Sequence, residues 1–399
     1  MPVYLDHAAS TPIRDGAREA MLPHLTRCEL MGNPVSSHAY GRSGKAALEE
    51  ARERVAAHFA CEPSDVIFNS GGSEGDTHAL FGAMRLLRCL RGRPLRVAIS
   101  AFEHEAVQVC AKMLVELGHS MSVLKSSGQG VVPLEEVEAA LSDGADIVSL
   151  MSVNNEIGTV QPVGEAALLC KRAGALFHTD AVRAVGHGLR VITSAAQIPL
   201  LNGAGHKIGG PRGVGVLVAR HSEINAVLGQ DCGRFPQLIC GVKQEGYCRA
   251  GTENVAGAVG FAAALDLCRD DESAQLERMR LGLERALGER FSGCVIHGEK
   301  AMRATHVTSV AFPGMLGPQL AAALEDAGVL VGAGSACHSG GGSVGSHTMQ
   351  AMGVPGEIAG GTLRISLGWN TAQADIDALL TALQIVLSAQ GWKGAAAGA

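Results

Sequence analysis

The stretch Val66-Ile67-Phe68-Asn69-Ser70-Gly71-Gly72-Ser73-Glu74-Gly75-Asp76, continued by THALFGAMRLLRC to residue 89, reads as a strand, a glycine turn and a helix. The strand takes 66–69 and the helix 77–89, with the polar cluster SGGSEGD between them. The same alternation runs outward on both sides. A helix over 46–59 precedes it, strands fall at 96–100, 120–124, 147–153 and 175–179, and helices fall at 106–117, 133–141 and 164–173. Strands that alternate with helices make an α/β unit with a mainly parallel sheet. Ligands of such sheets bind beyond the carboxyl ends of the strands. The unusual polar clusters fall there: SGGSEGD, Glu103-His104, Asn154-Asn155-Glu156 and His178-Thr179-Asp180-Ala181.

Past residue 260 the texture changes to a helix over 273–290, a strand at 308–312, a helix over 318–327 and an extended piece at 329–331. The glycine-rich run GAGSACHSGGGSVGS follows, then a strand at 362–367 and a helix over 374–387. A large domain over 12–260 is expected, with a smaller α+β domain built from 1–11 and 261–399 and carrying a loop at about 333–346.

The 399 residues are 47% hydrophobic and 18% charged, which excludes a disordered chain. A net charge of −6 with no dense Lys/Arg run excludes an electrostatic case for nucleic-acid binding. The N-terminal MPVYLDHAASTP has no basic segment and no long apolar run, so no secretory signal is expected. The richest apolar run, 255–265, is too short to cross a membrane. Eleven cysteines without a C-x-x-C pair suit a reducing compartment, and a cytoplasmic protein with no metal site is expected. Cys61, Cys89, Cys110, Cys170 and Cys268 read as small buried hydrophobes.

Taken singly, the clusters admit two readings each. The Ser70–Glu74 turn is either a phosphate cradle at a helix start or an ordinary turn with Ser73 as N-cap. Asp180, at the end of a buried strand, either hydrogen-bonds a protonated pyridine nitrogen or caps the next helix. Lys207, in Gly205-His206-Lys207-Ile208-Gly209-Gly210-Pro211, lies among small residues that disfavour an exposed helix. A lysine with restricted hydration keeps a neutral amine able to form a Schiff base. His104 follows a strand, where it would stack on a flat cofactor or simply fill the core. Cys337 sits in Gly334-Ser335-Ala336-Cys337-His338-Ser339, before three consecutive glycines. Packing explains it poorly; a nucleophile that must travel explains it well.

The set, in this order, resembles the cysteine desulfurases of the class V aminotransferase superfamily, in the long-loop group that also holds selenocysteine lyases. The resemblance runs from Tyr4-Leu5-Asp6-His7-Ala8-Ala9 to the final helix. It implies the type I fold of pyridoxal-phosphate (PLP) enzymes and PLP as cofactor. Lys207 is then the cofactor lysine, Asp180 the partner of the pyridine nitrogen and His104 the stacking and proton-moving residue. Gly72, Ser73 and His206 hold the phosphate, and Asn155 contacts the phenolic oxygen or the substrate. Thr252, in Arg249-Ala250-Gly251-Thr252-Glu253-Asn254, reaches a neighbouring subunit's phosphate, which implies a homodimer. Arg364 clamps the substrate carboxylate, and Asn33 of Gly32-Asn33-Pro34 helps line the substrate pocket. Cys337 accepts the sulfur of L-cysteine, releasing L-alanine and passing the persulfide to an acceptor protein, as in iron–sulfur cluster assembly. L-Selenocysteine is the alternative substrate, and an inactive scaffold or sulfur-relay protein a more remote alternative.

Two positions depart from the family pattern. Arg183 stands where a glutamine usually contacts the phenolic oxygen, and a cation there lowers the pKa of the lysine–cofactor link. Ala204 replaces a hydroxyl two residues before His206 and removes one phosphate contact.

Overall fold

The computed structural model describes residues 2–188, 198–333 and 345–394. Its chain begins with β1 (Val3–Tyr4), and seven further strands build the central sheet. These are β2 (Val66–Asn69), β3 (Arg96–Ser100), β4 (Ser120–Leu124), β5 (Ile147–Ser149), β6 (Leu176–Asp180), β7 (Leu200–Ala204) and β8 (Gly215–Ala219). Their order is β2-β8-β7-β6-β5-β3-β4. Strands β4, β3, β5, β6 and β7 pair in parallel, and β8 runs antiparallel to both its neighbours. The inner strands are buried on both faces, as expected where helices cover both sides, and turn polar toward the carboxyl ends of β5, β6 and β7.

The fold is the expected α/β class, and three details differ from the sequence expectation. Strand β8 returns after a turn at Gly213 (φ +75°), a reversal that helix–strand alternation does not announce. The helix after β2 begins at Gly72 rather than residue 77, because Gly71 (φ +143°) turns the chain straight into it. Gly71 is thus the N-cap and Ser73 lies in the first turn, so the Ser73 N-cap reading falls. Strand β5 stops at Ser149, although Leu150 and Ser152 still donate to the carbonyls of His178 and Asp180.

The apolar run at 255–265 becomes helix Val255–Asp266, buried on nearly every side against helices Asp15–Thr26 and Ala39–Phe59. A helix apolar all round belongs in a core. No described helix is long and apolar enough to cross a membrane. Cys110 and Cys170 are buried as expected, but Cys89 is exposed near the end of helix Gly72–Arg91, where its face turns to solvent.

The C-terminal part holds an antiparallel sheet of β9 (Val295–Ile296), β10 (Val307–Ala311) and β12 (Thr362–Ser366), with β11 (Val329–Leu330) pairing β1 in parallel. Alternation along β12 buries Leu363 and Ile365 in a core with Leu5, Leu379 and Leu383, and sends Arg364 to the opposite face. That face meets the carboxyl ends of the central sheet.

One buried ion pair ties the segment leading to Thr252. Arg52 Nη1 and Nη2 donate to Glu245 at 2.8 and 3.0 Å, and the Phe68 N–H donates to Glu245 Oε2 at 2.8 Å. Glu245 holds φ +46°, which the pair fixes in place. Removing Glu245 leaves the buried Arg52 with only the half-exposed Glu49 at 3.3 Å and the Val66 carbonyl at 2.7 Å. Glu245→Ala is expected to destabilise the protein by about 3–5 kcal/mol in urea unfolding. A loss under about 1 kcal/mol would show that the pair contributes little.

Candidate active site

Five segments at the carboxyl ends of the sheet strands, the N-terminal segment and β12 meet around a cleft of about 340 Å³. The first turn of helix Gly72–Arg91 presents backbone N–H groups that no turn precedes, with the Ser73 hydroxyl beside them. A side chain at Gly72 would press on Val182, a Cβ coming within 2.8 Å of Cγ2. The cradle therefore needs that glycine. His104 caps the helix Glu105–Glu116, its Nδ1 accepting from the Ala106 N–H at 3.2 Å, and its ring is exposed at the cleft. Asp180 ends β6, is buried, and accepts from the Val182 N–H at 2.9 Å. It makes no salt bridge among the described residues.

Lys207 closes the short helical turn Gly205–Lys207 after β7. Its Nζ donates to the carbonyls of Ala8 and Ala9 at 3.1 and 2.6 Å. Burial, with Arg183 and Arg364 nearby, pushes the amine down to about 6, so it is neutral at pH 7. Burial, together with Lys207 and Arg183, likewise lowers His206 to about 4, and this ring hydrogen-bonds Ser10 Oγ at 3.3 Å. Burial raises Asp180, against the pull of His104, Arg183 and Lys207. A cation placed at its carboxyl restores ionisation.

Arg364 Nη2 donates to Asp6 Oδ1 at 2.9 Å and Nη1 to the Asn155 carbonyl at 3.1 Å, while Nε is buried without a partner. Arg183 is buried, and its Nη1 has no acceptor. Burial and the neighbouring Arg364 lower it to about 9.

Of the residues the sequence singles out, Gly72, Ser73, His104, Asn155, Asp180, Arg183, His206, Lys207 and Arg364 line this one cleft, as does Ala204. Asn33 does not; it is exposed elsewhere, its Oδ1 accepting from the Val35 N–H at 3.1 Å. Thr252 is also exposed and outside the cleft of its own chain. Cys337 lies outside the described residues. The residues that flank its segment are described. Gly332 exchanges both backbone hydrogen bonds with Arg364, and His347 Nε2 hydrogen-bonds the Glu103 carbonyl, next to His104, at 3.1 Å. No group of three or more metal-ligating side chains occurs among the described residues.

Sequence alone does not single out Asp76 or the Ala8–Ala9 carbonyls, nor give Asp6 a task. Asp76 lines the cleft, buried, with Oδ1 unpartnered and 3.6 Å from His178 Nε2. Its spacing of three from Ser73 puts both on one helix face, the one signal that would have found it.

The site suits a flat, phosphorylated, cationic-ring cofactor. A buried carboxylate without a cation partner fits a protonated pyridine, a helix start fits a phosphate, and a neutral lysine amine fits an aldehyde. Fold and site define a lysine-dependent α/β enzyme of the pyridoxal-phosphate type.

Comparison with known proteins agrees. The aminotransferase class-V family matches residues 3–379. A cysteine desulfurase IscS of Dictyoglomus turgidum is 35% identical over 388 residues, 96% of this chain and 94% of that one. Among solved structures, a NifS-like protein superposes with a TM-score of 0.84 at 29% identity, covering 97% of this chain and 100% of its own. SspA in complex with cysteine gives a TM-score of 0.77 at 26% identity, covering 92% and 99%. The chain belongs to the class-V aminotransferase family, among the cysteine desulfurases, and is a pyridoxal-phosphate-dependent enzyme.

Proposed function

We propose that this chain takes the sulfur from L-cysteine, releasing L-alanine and leaving a persulfide on Cys337 that an acceptor protein then receives. The observation that carries the reading is the convergence of Lys207, Asp180 and Arg364, from three separate segments, on one cleft. The bound cofactor supplies an electron sink at the substrate's α-carbon. Gly72, Ser73 and His206 would hold its phosphate, Asp180 would keep its ring nitrogen protonated, and His104 would stack on the ring. Arg364 binds the α-carboxylate with the Asn155 loop beside it. The neutral Lys207 amine would move a proton at the α-carbon together with His104. Cys337 thiolate attacks the substrate sulfur. An S–S bond forms, the C–S bond breaks, and its electron pair stays with the carbon, which takes a proton.

The flanks of the Cys337 segment support this role, since Gly332 is paired to Arg364 and His347 to the residue before His104. We also infer a homodimer. Thr252 is exposed beside a recess of about 810 Å³ that Glu253 lines, and there a neighbour's cleft would receive it.

Alanine release from L-cysteine and L-selenocysteine, measured in parallel on the holoenzyme, tests the activity. Turnover of cysteine with stoichiometric persulfide is expected. Alanine from selenocysteine alone would make the chain a selenocysteine lyase, and release from neither would end the reading.

A further inference from the structure

Arg364 is incompletely available to a substrate. Nη1 gives one of its two N–H groups to the Asn155 carbonyl and Nη2 one of its two to Asp6, while Nε is buried without a partner. A carboxylate has two oxygens, and the Nε–Nη2 edge of Arg364 that would take both is already shared with Asp6. The same cleft holds a second guanidinium in the same condition. Arg183 is about 4% exposed, makes no salt bridge among the described residues, and buries Nη1 without an acceptor. An unmade bond on a buried charged donor is costly. The acids that act on it, Asp180 and Asp6, have other tasks: Asp6 holds Arg364, and the proposed function assigns Asp180 to the cofactor's ring nitrogen. The two guanidiniums also repel each other across the cleft. An anion with two oxygens set between them relieves the repulsion and satisfies both donors at once.

We propose that Arg183 and Arg364 form a two-guanidinium clamp that bridges the α-carboxylate of the incoming amino acid, one oxygen on Arg183 Nη1 and the other on Arg364 Nε. This rests on the proposed function and adds a substrate-binding residue to it. A single ring oxygen of the cofactor, the position implied by the family pattern, meets one of these donors and leaves the other unpaired.

The test uses holoenzyme carrying R183Q, with R183K as the charge-conserving variant. R183Q is expected to raise KM for L-cysteine roughly tenfold to a hundredfold while kcat changes less than about threefold. Binding of L-alanine, followed through the cofactor's visible spectrum without turnover, should weaken by the same factor. Binding of isopropylamine, which carries a methyl group where alanine has its carboxylate, should not change. R183K should recover part of the loss. Equal weakening for both amines would mean a general disturbance of the cleft and overturns the clamp. Unchanged KM and alanine binding overturns it too, whether or not the pH midpoint of the visible band moves. An R183Q chain that loses the cofactor while R183K keeps it makes Arg183 a cofactor residue, and the clamp is overturned in that case as well. A wild-type chain that binds no cofactor would instead sink the proposed function.

Discussion

Lys207→Ala is expected to abolish the visible band of the bound cofactor and to lower alanine release roughly 10³-fold or more. Lys207 is the lysine of the cleft, and its amine is held by the carbonyls of Ala8 and Ala9 rather than by a carboxylate. Burial and the guanidiniums of Arg183 and Arg364 push it down to about 6. A lysine that is neutral at pH 7 attacks an aldehyde without first losing a proton. The sign of the pH dependence follows. Capture of added cofactor by the cofactor-free chain should be nearly flat above pH 7 and fall about tenfold per unit well below pH 6, where the amine is protonated. An ordinary lysine would instead give a rising rate throughout the neutral range. Borohydride reduction followed by peptide mapping places the covalent label. A label on another lysine, or a band that survives in Lys207→Ala, removes the residue from its role.

Much of this site is legible in the sequence because its residues are tied to strand ends. Asp180, His104 and Lys207 each follow an apolar strand, and period-2 and period-3.6 patterning locates such ends to within a few residues. Gly71 and Gly72 are legible as a turn. That the helix starts at once is not, because helix propensity is low across Ser70–Asp76 and the free N–H groups leave no mark in sequence. Strand β8 escapes sequence reading for a different reason. Its apolar run resembles any parallel strand, and direction is set by the partner, not by local residues. Arg364 illustrates a third limit. Alternation in β12 predicts that it leaves the core, but only the tertiary arrangement puts that face on the cleft of another sheet. The contacts that restrict its nitrogens, Asp6 and the Asn155 carbonyl, lie more than 200 residues away in sequence. The family resemblance marks Arg183 as a departure; its missing acceptor is a property of packing alone.

Cys337→Ser is expected to eliminate sulfur release from L-cysteine while leaving cofactor binding intact. The attacking form is the thiolate, and an unperturbed thiol with a pKa of roughly 8.5 already provides a small reactive fraction at neutral pH. A serine hydroxyl provides essentially none, and oxygen gives no stable counterpart of the persulfide. The loss should therefore be about 10³-fold or more in kcat, with little change in KM, because the proposed site holds the substrate's amine at the Lys207 end of the cleft and its carboxylate at Arg364 rather than on the cysteine. Selenium leaves carbon more readily than sulfur, so L-selenocysteine needs less help from a nucleophile and part of its turnover should survive the substitution. The pattern across substrates is thus more informative than either rate alone. Loss with both substrates and a normal visible spectrum would mean that Cys337 serves both reactions, for instance as a proton donor to the leaving atom. Loss with cysteine only assigns it the acceptor role. Cysteine turnover near the wild-type rate would show that the sulfur leaves by another route. The exposed Cys28, Cys89 and Cys240 would then be the residues to label for a persulfide.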